Sequence, residues 1–185
     1  MSKSNKKILF QLTGSIAAYK ACSLISQLIK NGHEVQTVAS PSLFQFVGGA
    51  TLEGLTGKPV FSDMYQAGRA MDHIQLARES DLILLCPATA NSINKLAAGI
   101  SDDLIGALFL ANNFKTPYWI APAMNAEMFK HPATQASLGR LREWGARVIE
   151  PGTGLLACGE EGPGRLVEPD DLLIEIERFF TGGKP

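Results

Sequence analysis

The residues best suited to chemistry lie in short polar turns that follow apolar stretches of the chain. The first turn is Thr13-Gly14-Ser15, after an apolar run at 8–12 and before a stretch with helical periodicity. A helix N-terminus carries about half a positive charge and free backbone N–H groups, so it suits a phosphate. Gly14 would let the backbone approach that phosphate closely, and the two neighbouring hydroxyls would add donors. An ordinary tight turn in an α/β domain explains Gly14 equally well.

This first turn lacks the marks of the common nucleotide motifs. It has one glycine, whereas a dinucleotide fingerprint has three, and the predicted second strand at 33–39 ends without an acidic residue for a ribose. The Gly-Lys-Ser/Thr of a P-loop is also absent. A hydroxyl-rich turn without these marks fits a mononucleotide, and FMN is the best candidate.

Three further polar turns follow predicted strands in the same way. They are Ser40-Pro-Ser42, Pro87-Ala-Thr-Ala-Asn-Ser92 and Pro122-Ala-Met-Asn125. Taken one at a time, the asparagines and serines in such turns are more often helix caps. In a parallel sheet, however, the carboxyl ends of the strands meet at one edge, where ligands bind. The layout therefore predicts one site assembled from four turns.

Cysteine and histidine supply the remaining candidates. Cys158 lies in a glycine-rich stretch, 154–164, whereas Cys22 and Cys86 fall on apolar faces and are predicted to pack in the core. Glycines would allow residues 151–165 to close over a substrate as a flap. His73 could exchange protons near neutrality or could be an ordinary polar residue at the end of an element. His33 and His131 match no motif and are predicted to lie at the surface.

Composition narrows the class of protein. The 185 residues are 45% hydrophobic with a net charge of −1, which indicates one domain, 1–185, and argues against disorder or a nucleic-acid partner. No apolar run approaches the ~20 residues of a membrane span. Three widely spaced cysteines suit a reducing cytoplasm and show no metal-ligand spacing. Flexible ends are expected at about 1–5 and 181–185.

The elements that must position these residues alternate between strands and helices. The run at 81–86 is apolar without alternation, as in a strand covered on both faces. This pattern predicts an α/β fold, a three-layer doubly wound parallel sheet of the Rossmann/flavodoxin-like type. Strands are expected at 8–12, 33–39, 81–86, 117–121 and 147–149. Helices are expected after the first turn and at 42–49, 51–56, 93–98, 132–144 and 169–180, with one more, capped by Asp102 or Asp103, reaching about residue 111.

Five motifs in order carry a family resemblance. They are Gly14-Ser-Ile-Ala-Ala-Tyr-Lys20, His73-Ile74, Pro87-Ala-Thr-Ala-Asn-Ser92, Pro122-Ala-Met-Asn-Ala-Glu-Met-Phe129 and Ala157-Cys-Gly-Glu-Glu-Gly-Pro-Gly-Arg165. Over about residues 6–180 the chain resembles the homo-oligomeric flavin-containing cysteine decarboxylases. It departs from the usual motifs at Thr89, Ser92 and Phe129, each time keeping a hydroxyl or an aromatic ring.

The resemblance implies roles for individual residues. His73 stands at the position of the catalytic base, and Cys158 at that of the flap cysteine that donates a proton. Asn125 would hold the substrate carboxylate. Met124 and Met128 would contact substrate or flavin, although core packing is the commoner place for methionine. FMN would be bound by Gly14, Ser15, Ile16, Ser40, Ser42, Thr89, Ala90, Asn91, Ser92 and Ala123.

The closest motif match is to members that act in coenzyme A biosynthesis. It implies decarboxylation of 4′-phosphopantothenoyl-cysteine to 4′-phosphopantetheine, by oxidation to a thioaldehyde, loss of CO2 to an ene-thiol and re-reduction. It also implies a homo-oligomer, a trimer or a dodecamer built from trimers, with sites between subunits. A synthetase that makes the substrate would be fused to the decarboxylase or separate. Arg165 would bind the substrate phosphate or pin the flap.

Three other readings remain open. A peptidyl-cysteine decarboxylase would stop at the ene-thiol and would not need Cys158. A non-catalytic flavin-binding regulator tends to lose one of the His, Asn or Cys positions, and all three are present. A flavin prenyltransferase of the same fold lacks the Pro-x-Met-Asn and Cys-Gly signatures.

Overall fold

Five parallel strands form the centre of the molecule. The computed structural model describes residues 5–65, 72–155, 159 and 161–182, and only the backbone of residues 72–74. The strand order is β2-β1-β3-β4-β5, and every pairing is parallel. This is the flavodoxin-like doubly wound order, with its switch point between β1 and β3. The strands are β1 (Lys7–Leu12), β2 (Glu34–Ala39), β3 (Leu82–Ala88), β4 (Tyr118–Pro122) and β5 (Arg147–Val148).

Helices cover both faces of the sheet, so the predicted three-layer fold is confirmed. On one face α1 packs against α2 and α8, and on the other α3 packs against α5 and α4 against α7. The helices of the described chain are α1 (Ala18–Lys30), α2 (Gly49–Thr56), α3 (Asp72–Glu79), α4 (Ala90–Ala97), α5 (Leu104–Asn112), α6 (Ala126–Lys130), α7 (Pro132–Glu143) and α8 (Pro169–Phe180).

The apolar run in β3 explains why the sheet is buried on both sides. Leu82 and Leu84 face the α1–α8 layer, while Ile83 and Leu85 face the α4–α7 layer. All seven residues of β3 are buried. Because side chains alternate along a strand, a strand covered on both faces is apolar along nearly all of its length.

The glycine-rich segment at 151–165 contains two strands that the sequence pattern did not predict. Its described residues form an antiparallel hairpin of β6 (Gly152–Leu155) and β7 (Glu161–Arg165). Glycines pair across the hairpin at Gly154 and Gly162, so side chains supply no alternating pattern that would reveal strands. Gly164, at φ 115°, has a conformation that strongly favours glycine. A Cβ there would lie 2.5 Å from the carbonyl oxygen of Met124, so the hairpin packs closely against the end of β4.

Three other local predictions were wrong. The helix expected at 42–49 is a short 3-10 helix, Pro41–Gln45, separate from α2. The turn expected at 87–92 is shorter, because β3 continues to Ala88 and α4 begins at Ala90. His33 is only 7% exposed, because α8 covers it: its Nε2 lies 3.1 Å from Glu177 Oε1.

The N-terminus of α5 settles which of two neighbouring aspartates is the cap. Asp103 is extended, and its Oδ1 accepts a 2.9 Å hydrogen bond from Gly106 N–H. Asp102 instead pairs with Lys95 at the surface. The side chain of Asp103 thus satisfies a helix donor that would otherwise lack a partner.

We expect Asp103→Ala to lower the free energy of unfolding by about 1 kcal/mol, the usual contribution of an N-cap. Asp102→Ala is the matched control and should change it by less than about 0.5 kcal/mol, because exposed ion pairs contribute little. Urea unfolding followed by circular dichroism measures both. Equal effects of the two substitutions would contradict the assignment of the cap.

Candidate active site

Thr13 joins the two strands at the switch point. Its buried hydroxyl donates a 2.6 Å hydrogen bond to the Pro87 carbonyl and accepts a 3.1 Å bond from Thr89 N–H. The expectation that Thr13 would donate to a phosphate was therefore wrong, since its one proton is already used. Thr13 instead fixes the end of β1 against the end of β3.

The turn before α1 presents backbone N–H donors at the N-terminal end of the helix. Ser15 organises this turn, because its carbonyl accepts from Ala18 N–H at 3.0 Å and its Oγ accepts from Ala17 N–H at 3.2 Å. Within the described residues, no acceptor bonds to the N–H of Gly14 or Ile16. Ile16 as a whole is 64% exposed. Two backbone N–H groups at a helix N-terminus form a donor set that suits a phosphate.

Gly14 is required by its contact with the turn after β2. A Cβ at Gly14 would lie 2.7 Å from Ser42 Oγ and 2.8 Å from Ser42 O. Ser40 Oγ lies 3.0 Å from Ser42 Oγ, so both predicted serines lie beside the α1 turn. The predicted convergence of the turns after β1 and β2 is confirmed.

The turn after β3 is organised by Thr89. Thr89 is the N-cap of α4 and accepts from Ser92 N–H at 3.4 Å, and the two hydroxyls are 3.2 Å apart. Neither Asn91 nor Ser92 is the cap. Ala90 is buried at the start of α4, while Asn91 is exposed on its first turn. Since Thr89 also bonds to Thr13, this turn lies directly beside the α1 turn.

Asn125 is held at the end of β4. Its Oδ1 accepts from Glu127 N–H at 2.8 Å and from Met128 N–H at 3.4 Å, so it caps α6. Met124 N–H donates to the Gly164 carbonyl at 2.9 Å, which attaches β7 beside Asn125. Met124 is partly buried against the core, whereas Met128 is 50% exposed and does not pack there.

A cavity of about 640 Å³ opens between the α1 turn, the end of β4 and the hairpin, a size typical of small-molecule sites. It brings together five of the predicted site residues, Ser15, Ile16, Ala123, Met124 and Asn125. The other described site residues do not line it: Gly14, Met128, the serines at 40 and 42 and the residues at 89–92. The His73 side chain and Cys158 lie outside the described residues. The remaining lining residues are Ala17, Tyr19, Lys20, Leu155, Gly164, Arg165 and Leu166.

Lys20 is a site residue that sequence reasoning missed. It is 9% exposed, and its Nζ lies 2.8 Å from Glu168 Oε1. Arg165 Nη2 lies 2.9 Å from the same oxygen. The hydrogen bond from Lys20 lowers the pKa of Glu168, and the nearby charges of Lys20 and Arg165 act in the same direction. The available signal was a lysine at helical spacing within the apolar face of α1.

Two kinds of feature are missing from the part of the chain that the structure describes. None of its helices is long and apolar enough to cross a membrane. It also contains no group of three or more histidine, cysteine or acidic side chains placed to hold a metal ion.

Fold and site together define the class. The parallel sheet has the order β2-β1-β3-β4-β5, and a helix N-terminus that suits a phosphate lies at its switch point. This is a doubly wound mononucleotide-binding architecture. The family model described as Flavoprotein matches residues 1–181. The chain belongs to the Flavoprotein family.

Curated relatives cover almost the whole chain. It is 41% identical over 180 residues to the coenzyme A biosynthesis bifunctional protein CoaBC of Bacillus subtilis, covering 96% of the chain and 44% of that protein. It is 39% identical over 174 residues to a probable phosphopantothenoylcysteine decarboxylase of Streptococcus mutans, covering 93% of the chain and 97% of that protein. The chain thus spans less than half the length of the bifunctional relatives it matches.

Solved structures share the fold throughout. A cysteine-to-serine mutant of PPC decarboxylase complexed with pantothenoylaminoethenethiol superposes with a TM-score of 0.87 at 28% identity, covering 96% of this chain and 99% of that one. The FMN-dependent cysteine decarboxylase SpaF superposes with a TM-score of 0.80 at 30% identity, covering 94% and 98%.

The contact between Lys20 and Glu168 predicts a pH-dependent stability difference. Because folding lowers the pKa of Glu168 below its ordinary value of 4.5, the pair stabilises the fold above that pH. That stabilisation is lost as the pH falls through the lowered value. We expect Glu168→Gln to cost up to about 1 kcal/mol at pH 7, because it leaves the buried Lys20 ammonium without a charged partner while solvent screens the half-exposed carboxylate.

The matched control is Glu127→Gln, whose pair with Lys130 is exposed on both sides and should cost almost nothing at any pH. Urea unfolding of the three proteins between pH 7 and pH 3.5 measures the difference. The gap between wild type and Glu168→Gln should narrow towards acid. A gap that stays constant would show that Glu168 acts through packing instead.

Proposed function

We propose that the chain is an FMN-dependent phosphopantothenoylcysteine decarboxylase, which converts 4′-phosphopantothenoyl-cysteine to 4′-phosphopantetheine in coenzyme A biosynthesis. One observation carries the proposal. The turn at the N-terminal end of α1, which suits a phosphate, and the amide of Asn125 both open onto a single cavity beneath the β6–β7 hairpin. A carboxylate-bearing substrate and a flavin can therefore share one site. The Streptococcus mutans relative and the solved structure are both named as phosphopantothenoylcysteine (PPC) decarboxylases, which supports the same assignment.

The residues present fit FMN. Gly14 and Ile16 supply backbone donors for a phosphate, and Ser15, Ser42 and Thr89 lie around the same turn. When bound, the flavin would supply a two-electron oxidant for the thiol-bearing carbon and a reductant after CO2 has left. The contribution of the protein is to bind, orient and exclude water.

Asn125 is suited to a substrate carboxylate. Two helix N–H groups point at one end of its amide, which identifies that end as the oxygen. The amide nitrogen is then the end that donates. A neutral donor orients a carboxylate without the strong attraction of a positive charge, which would favour the reactant over the transition state for loss of CO2.

His73 and Cys158 complete the proposed chemistry. His73 is on the first turn of α3, where we assign it the role of base, and Met124 would contact substrate from the cavity wall. We assign Cys158 the proton donation that converts the ene-thiol into the saturated thiol. A thiol with a pKa of ~8.5 is protonated at neutral pH, as such a donor must be.

We extend the proposal to assembly and location. Tyr19 and Leu155 are exposed apolar residues at the cavity, at 66% and 69%, which supports coverage by another copy in a homo-oligomer of trimers. The free cysteines support a cytoplasmic protein. A phosphopantothenoylcysteine synthetase, fused or separate, would supply the substrate.

The reaction is tested by product analysis of the flavin-loaded protein. Wild type should release CO2 from 4′-phosphopantothenoyl-cysteine and give 4′-phosphopantetheine, seen by mass spectrometry. Cys158→Ala should release CO2 but accumulate the oxidised ene-thiol product, two hydrogens lighter. Cys22→Ala, at a half-buried position on α1, is the matched control and should behave like wild type.

Two outcomes would redirect the assignment. If wild type stops at the ene-thiol, the peptidyl-cysteine type is the better class and Cys158 has no reducing role. If the flavin-loaded wild type releases no CO2, the decarboxylase proposal fails and a flavin-binding regulator takes its place.

The α1 turn is tested separately through flavin content. Gly14→Ala introduces a Cβ within 3 Å of Ser42, so the two turns must separate. We expect the Kd for FMN to rise roughly tenfold or more, equivalent to at least about 1.4 kcal/mol, with the fold retained. Gly139→Ala, where a Cβ on α7 meets nothing within 4 Å, is the control and should bind FMN normally. Full flavin content in Gly14→Ala would place the flavin elsewhere.

A further inference from the structure

The described residues that line the cavity include two charged side chains, and both are positive. Lys20 approaches it from α1 and Arg165 from the end of β7, and none of the described lining residues is acidic. We propose that Arg165 is the specificity residue for the phosphate monoester end of the substrate, and this inference rests on the proposed function. The phosphate of the flavin is assigned instead to the turn before α1, at Gly14 and Ile16.

Glu168 balances only one of these two charges. Its Oε1 is 2.8 Å from Lys20 Nζ and 2.9 Å from Arg165 Nη2, so one carboxylate serves two cations. The cluster therefore keeps one net positive charge beside the cavity. A phosphate monoester, with nearly two negative charges at neutral pH, is the chemical group that this excess attracts.

Burial separates the roles of the two cations. The Lys20 side chain is 11% exposed and the Glu168 carboxylate is its partner, so Lys20 serves to hold Glu168 in place. The Arg165 side chain is 45% exposed and reaches Glu168 from only three residues away. Its planar guanidinium carries five N–H donors and matches the geometry of phosphate oxygens. Arg165 is therefore the cation available to a ligand, and Glu168 positions it.

The same arginine has a competing structural use. A Cβ at Gly154 would lie 3.4 Å from Arg165 Nη1, so the side chain extends along the opposite strand of the hairpin. If this contact were its whole role, removal of Arg165 would disturb every substrate alike. If Arg165 recognises the phosphate, its removal should weaken binding of the phosphorylated substrate only. A comparison of phosphorylated and unphosphorylated substrates therefore distinguishes the two roles.

The test compares two substrates that differ only in the phosphate, 4′-phosphopantothenoyl-cysteine and pantothenoyl-cysteine, on flavin-loaded protein. In Arg165→Gln we expect the KM for the phosphorylated substrate to rise about 10- to 100-fold, the range for a charge-assisted hydrogen bond, with kcat little changed. The unphosphorylated substrate should be nearly unaffected. Arg165→Lys should be intermediate, because it keeps the charge but loses the fork.

Arg142→Gln is the matched control. Arg142 also places Nη2 against a glutamate Oε1, at 2.7 Å from Glu150, and is 40% exposed, but it does not line the cavity. Its loss should change neither substrate. Equal losses on both substrates in Arg165→Gln would overturn the proposal in favour of hairpin support. A lower FMN content would overturn it in favour of the flavin phosphate.

Equilibrium binding keeps this test distinct from that of the reaction. Flavin-loaded wild type should bind 4′-phosphopantetheine more tightly than pantetheine, and Arg165→Gln should lose that preference. This result would hold even if no CO2 were released, in which case the proposed function alone would fail. No preference in wild type would overturn the role of Arg165.

Discussion

A chain of hydrogen bonds between strand ends is the constraint on which the site depends. Thr13 joins the end of β1 to the turn after β3, Ala123 N–H donates to the Ala88 carbonyl at 2.9 Å, and Met124 N–H donates to Gly164. These bonds connect four segments that are far apart in sequence. Because each uses backbone groups or a buried hydroxyl, these bonds hold the strand ends together along the carboxyl edge of the sheet.

These hydrogen bonds explain how small turns can form a site. Thr89 and Asn125 each use a side-chain oxygen to cap a helix, and Ser15 Oγ accepts from Ala17 N–H just before α1, so each helix N-terminus is fixed relative to the edge of the sheet. Capping and ligand binding are therefore compatible uses of the same turns. A capping residue uses its side-chain oxygen to accept from the helix. The partial positive charge of the helix N-terminus and the remaining N–H donors are still directed at the ligand.

How much could be read from the sequence depended on whether the determining contacts were local. The strand β3 was predictable because an uninterrupted apolar run has few alternatives, and the phosphate-suited turn was predictable because a glycine and a helix start are adjacent. The use of the Thr13 proton depended on Pro87, 74 residues away. The pairing of Lys20 with Glu168 spans 148 residues. Neither distance has a signature in a single sequence.

The β6–β7 hairpin is a second feature that the sequence alone did not predict. Its glycines give no strand pattern, but close packing requires them: a Cβ at Gly162 would lie 2.8 Å from Ala126 Cβ, and one at Gly164 would meet Met124. Both contacts are with the segment that carries Asn125. The composition that hides the strands from sequence analysis is thus the composition that lets the hairpin lie against Asn125. Since Arg165 and Glu168 follow directly, the same packing brings the positive cluster to the cavity, and the hairpin links the carboxylate end of the proposed site to its phosphate end.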